Sequence, residues 1–217
     1  MTGLKSNPMG NGVGPWPGGS EHWPEGEHWD PELLAGGDRR NVEDRFRYWR
    51  RDAIRDFLDS ERFPFQVAIE NLDHDFNIGS IVRSANAFGA NSVHIVGVHR
   101  WNKRGAMVTD RYQHVDHFPD ASSFAHWALQ SGITLIGIDN VECSQPLEGA
   151  VLPQRCCLVF GSEANGLSPE MIAECAAVYE ITQYGSTRSI NVGAAAAVAM
   201  WAWVIQHNKT VGHKTLH

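Results

Sequence analysis

Cysteines are few in this sequence, and long apolar runs are missing from it. Only four of its 217 residues are cysteine, with no C-x-x-C pair and no histidine at metal-ligand spacing. We therefore expect reduced, buried thiols and no disulfide framework or metal site. No apolar run is long enough to span a membrane, and the N-terminus lacks the basic-then-apolar layout of a signal peptide. These absences predict a cytoplasmic protein with no membrane partner.

Phosphate-binding glycine motifs of the ordinary kinds are also missing. No G-x-G-x-x-G follows the first predicted strand, and no G-x-x-x-x-G-K-[ST] occurs anywhere. An ordinary dinucleotide or nucleoside triphosphate site is therefore not supported. The length suits one α/β domain with room for a tail.

Charge is distributed unevenly along the chain, whose formal net charge is -7. Residues 1–38 carry one basic and six acidic side chains, whereas residues 39–55 carry seven arginines and three acids. The overall acidity therefore does not argue against a nucleic-acid partner, because a basic segment begins where the acidic one ends.

The first 38 residues are rich in Gly, Pro, Trp, His and Glu and follow neither helical nor strand period. We predict a mostly disordered tail over residues 1–38. Within it, residues 21–25 (EHWPE) are echoed by residues 27–32 (EHWDPE). The echo fits either a metal or partner-docking motif or a low-complexity tail whose tryptophans rest on the domain.

A basic N-terminal helix is predicted within residues 39–62. Apolar side chains fall near one face between residues 41 and 58, and the arginines lie mostly on other faces. This arrangement fits a solvated basic face and equally an RNA-binding surface, where arginines bind the backbone and aromatic rings stack on bases.

Strand and helix patterns alternate from residue 63 to residue 207, which predicts an α/β fold with a mostly parallel sheet and helices on both faces. The basic, aromatic loop at 99–105 is a second candidate RNA contact. The last helix is apolar nearly all round, so we expect it to be buried against the domain, a second subunit, or both. Strands are predicted at 66–70, 92–98, 133–139, 156–160 and 178–182, and helices at 78–88, 122–131 and 191–207.

Two loops that contain glycine follow the last two predicted strands. Gly161 and Gly166 flank the first loop, and Gly185 lies in the second. Glycines let backbone approach a ligand closely, and the carboxyl ends of parallel strands meet at one edge of a sheet. We therefore predict a binding pocket between these loops.

Three blocks of polar and glycine residues follow one another along the chain. They are Asn71-x5-Asn77-x-Gly79-x3-Arg83-x4-Phe88-Gly89, Leu158-Val159-Phe160-Gly161-Ser162-Glu163-x2-Gly166-Leu167, and Ile181-Thr182-Gln183-x-Gly185-x2-Arg188-Ser189-Ile190-Asn191-Val192. Together, and in this order, they resemble the SpoU (TrmH-like) branch of the SPOUT methyltransferases. The likeness spans about residues 64–207 and leaves out the tails at 1–38 and 208–217.

This resemblance implies a methyltransferase domain over residues 63–207, with a C-terminal trefoil knot in its sheet. It also implies a homodimer and transfer of a methyl group from S-adenosylmethionine to a ribose 2′-hydroxyl of tRNA or rRNA. The chain before the first block is short for a separate RNA-binding domain, which suggests a compact substrate. We therefore expect tRNA. The homodimer agrees with the all-round apolar last helix.

The resemblance also assigns roles to individual residues. The cofactor would lie against Gly161, Ile181, Gln183, Gly185 and Ile190, and the reaction centre would contain Asn77, Arg83, Glu163, Ser189 and Asn191. Asn191 could also cap the last helix.

Arg83 is expected to handle the proton in the family. A guanidinium is a poor base, so we expect Arg83 instead to bind the neighbouring phosphate and to stabilise charge on the 2′-oxygen. Two other functions stay open: an RNA-binding dimer of this fold without catalysis, and a small-molecule enzyme of flavodoxin-like build. Ile190 replaces a common leucine and Gly193 a common serine.

Overall fold

The computed structural model describes residues 12–71, 77–98, 100–162 and 165–208. The chain divides into two compact units, Met1–Glu61 and Arg62–His217. Among the described residues, no helix combines the length and the apolar character needed to cross a bilayer.

The first unit contains two α-helices, α1 (Pro31–Gly36) and α2 (Arg51–Glu61). Asp30 caps α1 by accepting hydrogen bonds from the backbone N–H groups of Glu32 and Leu33, and Pro31 occupies the first helical position. An isolated bridge pairs Val13 with Asp38. Residues 12–38 therefore have defined local structure, in contrast to the predicted disorder, while residues 1–11 lie outside the described residues.

Aromatic packing explains why this glycine- and proline-rich segment is ordered. The Trp16 ring lies 5.7 Å from that of Trp29 and 5.4 Å from that of Tyr48, both edge to face. The two indole N–H groups donate to backbone carbonyls, Trp16 to His22 and Trp29 to Glu25. Trp29 of the echoed sequence thus packs within its own unit.

The predicted basic helix is shorter than expected and its arginines are partly neutralised. Tyr48 has φ 63°, which interrupts the helical path before α2 begins at Arg51. Arg40 lies 2.6 Å from the fully buried Asp38, and Arg47 lies 3.3 Å from Asp44. Burial alone raises the pKa of Asp38, but the hydrogen bonds from Arg40 and Tyr48 hold it below its usual value.

The second unit contains a seven-stranded sheet in which all pairings between the described strands are parallel, as predicted. The strands are β1 (Gln66–Asn71), β2 (Val93–Gly97), β3 (Val115–Phe118), β4 (Thr134–Ile138), β5 (Gln145–Pro146), β6 (Cys156–Phe160) and β7 (Ala177–Glu180). Their order in the sheet is β3-β2-β1-β6-β4-β7-β5. The helices are α3 (Ile78–Ala87), α4 (Ala121–Ser131), α5 (Pro169–Glu174) and α6 (Val192–His207).

Helices cover both faces of the sheet, which confirms the predicted α/β class. Successive strand residues point to opposite faces, so Val67 and Ala68 of β1 belong to different clusters. Helices α3 and α6 pack on the face of Val67, and α4 and α5 pack on the face of Ala68. The central strand β6 is buried along its whole length.

The four cysteines are free thiols. Cys156 and Cys157 are buried, as expected, whereas Cys143 is exposed and Cys175 is half-buried. Burial raises the pKa of Cys156 and of Cys175 to about 12 and that of Cys157 well above its ordinary value. These thiols are therefore protonated and act as small apolar residues of the core.

Candidate active site

A cavity of about 790 Å³ opens at the carboxyl edge of the sheet, where the loops after β4, β6 and β7 meet the first turn of α6. This is the pocket that the two glycine loops predicted. The predicted site residues that line it are Gly161, Ile181, Gln183, Ser189, Ile190 and Asn191.

The loop after β6 folds back tightly on itself. Ser162 and Gly166 exchange backbone hydrogen bonds of 3.0 and 2.9 Å. A Cβ at Gly161 would lie 1.9 Å from the carbonyl carbon of Gly166, so no side chain fits there. Glycine at position 161 is therefore needed for the turn itself as well as for access to the cavity.

Two carboxylates that the sequence did not single out hold the end of this loop. Asp139 Oδ2 accepts the backbone N–H of Leu167 at 2.7 Å. Glu70 accepts the backbone N–H of Ser168 at 2.7 Å and its hydroxyl at 2.6 Å. The Ser168 hydroxyl in turn accepts the N–H of Met171 and caps α5.

The loop between β7 and α6 forms the opposite wall of the cavity. Its shape is held at the carbonyl oxygen of Arg188, which accepts from Asn140 Nδ2 at 2.5 Å and from Gln183 Nε2 at 3.2 Å. Gln183 Oε1 is buried and has no hydrogen-bond partner among the described residues. A buried amide oxygen without a partner is available to a ligand that donates a hydrogen bond.

Asn191 joins the first block to the third. Its Oδ1 accepts from the backbone N–H groups of Gly193 and Ala194, at 3.0 and 3.2 Å, so the predicted helix cap is confirmed. Its Nδ2 donates to Asn77 Oδ1 at 3.0 Å. Asn77 therefore contacts a residue of the cavity wall although it does not line the cavity itself.

The first turn of α3 packs closely against the segment 100–111. A Cβ on Gly79 would lie 2.7 Å from the backbone nitrogen of Ala106, so the two backbones touch. The segment also holds Met107 and Val108 at φ 47° and 72°, with both side chains about half exposed. Left-handed backbone is unfavourable for a β-branched residue, so the close packing must maintain it.

The remaining predicted site residues fall outside the cavity or outside the described structure. Arg83 is exposed on α3, and Gly185 is exposed in the β7–α6 loop; neither lines the cavity. Glu163 lies outside the described residues, as do His99 of the basic loop and residues 72–76 of the first block.

Comparison with known proteins shows which family the chain belongs to. The family model described as the SpoU rRNA Methylase family matches residues 64–201. The chain belongs to the SpoU rRNA methylase family. The match contains the whole cavity lining and stops short of the first unit.

The SpoU chain is similar to several curated proteins named tRNA (guanosine(18)-2′-O)-methyltransferase. The relative from Thermus thermophilus is 24% identical over 156 residues, which cover 70% of this chain and 80% of the relative. The Saccharomyces cerevisiae relative is 27% identical over 143 residues, 63% of this chain. The chain spans only 10% of that relative and 66% of the one from Borreliella burgdorferi.

Solved SpoU structures share the fold of most of this chain. The A. aeolicus TrmH/SpoU tRNA modifying enzyme superposes with a TM-score of 0.65 at 18% identity, covering 74% of this chain and 83% of that one. AviRb from Streptomyces viridochromogenes, solved in complex with AdoMet, gives 0.61 at 26% identity, covering 68% and 60%.

Proposed function

We propose that the protein is an RNA methyltransferase that moves a methyl group from S-adenosylmethionine to a ribose 2′-hydroxyl of tRNA. The observation that carries this is the cavity, because six of the ten residues assigned by resemblance line one space in a chain of the SpoU family. The tRNA substrate is supported by the similarity to tRNA (guanosine(18)-2′-O)-methyltransferases, including one of which the chain covers 80%.

The cavity fits the cofactor. Adenine is flat and largely apolar, and Ile181 and Ile190 provide apolar walls, while glycine at 161 keeps side chains out of the loop. The unpartnered Gln183 Oε1 can accept a hydrogen bond from the exocyclic amine of adenine. The AviRb structure, which contains AdoMet, supports the same cofactor here.

The bound cofactor supplies a methyl group already activated by its sulfonium, so the protein must chiefly align the ribose oxygen with it. Asn191 and Ser189 lie in the cavity wall, where they can orient that hydroxyl. Arg83, exposed on α3, binds the adjacent phosphate and stabilises negative charge that develops on the 2′-oxygen. The proton leaves to phosphate or solvent, because a guanidinium does not act as a base at neutral pH.

The segment 100–111 contacts the RNA. Its exposed cations can bind phosphates, and Lys103 Nζ lies 5.6 Å from the centre of the Trp101 ring while also pairing with Asp110 at 3.4 Å. The segment packs against α3, which carries Arg83. The same helix therefore positions both the phosphate-binding segment and the arginine of the reaction centre. The exposed cations of the segment are Arg100, Lys103, Arg104 and Arg111.

The remaining expectations complete the proposal. The protein forms a homodimer through α6, whose apolar residues Val198, Trp201 and Ile205 are exposed. The C-terminal part of the sheet is knotted. The strand order supports this idea, because β6 lies between β1 and β4, and β7 lies between β4 and β5. Cytoplasmic location and metal-independent chemistry remain part of the same proposal.

The deciding experiment incubates the protein with methyl-labelled S-adenosylmethionine and either total tRNA or rRNA, followed by nucleoside mapping. We expect label on a 2′-O-methyl nucleoside of tRNA. Arg83→Ala should lose most of this activity, whereas Arg155→Ala, at another exposed arginine of the same unit, should retain it. Full activity in Arg83→Ala would exclude Arg83 from the mechanism.

Calorimetry with S-adenosylmethionine separates the enzyme from an RNA-binding dimer of the same fold. Binding heat and methyl transfer together support the proposal. RNA binding without cofactor heat would assign the chain to the non-catalytic alternative.

A further inference from the structure

The register of the central strands places two acidic residues on either side of Gly161. Phe160 of β6 pairs with Ile69 of β1 and with Ile138 of β4. Glu70 follows Ile69 and Asp139 follows Ile138, so the two acidic residues lie level with Gly161, which follows Phe160. Both carboxylates thus flank the start of the β6 loop, and their hydrogen bonds to Leu167 and Ser168 hold its end.

Asp139 lies on the cavity side of this pair. It lines the cavity, whereas the almost fully buried Glu70 does not. A Cβ on Gly166 would lie 2.3 Å from Asp139 Oδ2, so the carboxylate packs directly against the backbone of the loop. The backbone N–H of Asp139 donates to the Tyr179 carbonyl at 3.0 Å, which ties it to β7 as well.

The next residue, Asn140, reaches the other wall. Its Nδ2 donates to the Arg188 carbonyl at 2.5 Å, the same oxygen that Gln183 holds. Two consecutive side chains at the end of β4 therefore bind the two loops that face each other across the cavity.

We propose that Asp139 and Asn140 are positioning residues that set the distance between the two walls of the cofactor cleft. This inference rests on the proposed function. Neither side chain needs to touch the methyl group, because each acts through the backbone of a loop. A cofactor enclosed by two walls loses contacts on one side when either wall moves away.

Donor affinity is the expected readout. Asp139→Ala removes a charge-assisted hydrogen bond to the β6 loop, and we expect the Kd for S-adenosylmethionine to rise on the order of 10-fold. Asn140→Ala, at an exposed position, should raise it several-fold by releasing Arg188. In both variants the KM for the donor should rise with Kd, while kcat at saturating donor stays close to that of the wild type.

Conservative variants distinguish positioning from a general loss of folding. Asp139→Asn keeps an acceptor for the Leu167 N–H and should recover most of the affinity. Asp120→Ala is the matched control, since Asp120 makes the same kind of bond to the backbone of Ser123 but caps α4 away from the cavity. It should lower the melting temperature and leave donor affinity unchanged.

The outcomes separate this inference from the proposed function. Wild-type protein that shows no heat with S-adenosylmethionine overturns both. Wild-type binding with unchanged affinity in Asp139→Ala and Asn140→Ala overturns only the positioning role. An equal loss of affinity in Asp120→Ala would also overturn it, because the effect would then follow stability alone. If Asp139→Ala does not fold, Asn140→Ala decides the question by the same criteria.

Discussion

Asn191 shows how a single side chain serves structure and site together. One atom, Oδ1, caps α6, and the other, Nδ2, binds Asn77 at the start of α3. The amide can do both because it carries an acceptor and a donor at once. An aspartate at this position would retain the cap and lose the link to Asn77.

Gly161 is the residue at which a single methyl group should have the largest effect. Because a Cβ there would meet the Gly166 carbonyl carbon at 1.9 Å, Gly161→Ala must displace the loop. We expect loss of S-adenosylmethionine binding in calorimetry and a lower melting temperature. Gly149→Ala is the control, since an added Cβ there meets nothing within 4 Å. Unchanged binding in Gly161→Ala would mean that the loop tolerates displacement.

His94 is a buried titratable residue outside the proposed chemistry. Its side chain is 1% exposed and packs 4.5 Å from the Trp127 ring. Asp116 lies 3.6 Å away but is largely exposed, so it offsets little of the desolvation. Burial therefore lowers the pKa of His94 from 6.5 to about 4.

This shift makes stability depend on pH in a defined direction. Between pH 6.5 and 4 the unfolded chain binds a proton at residue 94 that the folded protein does not. Stability should therefore fall as pH drops through this window, by about 2 kcal/mol. Urea unfolding at pH 7 and pH 4.5 measures it. The pH-dependent loss should shrink in His94→Gln and persist in His126→Ala, whose histidine is exposed.

At the scale of elements, the segment 100–111 stores backbone strain at Val108. Asparagine tolerates left-handed backbone better than a β-branched residue, so Val108→Asn should raise the free energy of unfolding by about 1 kcal/mol. Val151→Asn is the control, because Val151 is 85% exposed and is not among the residues with positive φ. Chemical denaturation of both variants tests the idea. Equal effects would show that polarity at the surface, and not the backbone, determines the change.

Elements with a strong local pattern were predictable from the sequence. Strand β6 begins and ends at the predicted residues, because a run of five apolar residues, all buried in the structure, lies between turn residues. Strands β3 and β5 were missed, since β5 has only two residues and both are exposed. The helix expected at 41–58 was misplaced. Its aromatic residues, such as Phe46 and Trp49, have helical spacing in the sequence, but in the structure their rings pack against one another outside an α-helix.

The site was predictable in its glycines and amides but not in its supports. Gly161 and Asn191 belong to contiguous blocks whose spacing is visible in the sequence. Asp139 binds Leu167, 28 residues away, and Glu70 binds Ser168, 98 residues away. Such bonds depend on which strands become neighbours, and one sequence alone does not specify that order.

At the scale of the whole molecule, α6 carries an apolar stripe that the second unit leaves exposed. Val198, Trp201 and Ile205 are 44%, 46% and 54% exposed, and their spacing of three and four residues places them on one face. The opposite face, with Met200 and Trp203, is fully buried in the core. A helix that is apolar on both faces needs a second surface to cover it.

A charge in this stripe should therefore prevent self-association without unfolding the chain. We expect the wild type to sediment as a dimer and Trp201→Glu as a monomer, because burying an unpaired carboxylate in an apolar interface is strongly unfavourable. Leu129→Glu is the matched control, since Leu129 is 80% exposed on α4, and it should remain dimeric. Circular dichroism would confirm that both variants keep their helices. A wild type that sediments as a monomer, or a Trp201→Glu variant that remains dimeric, would remove α6 from the proposed interface.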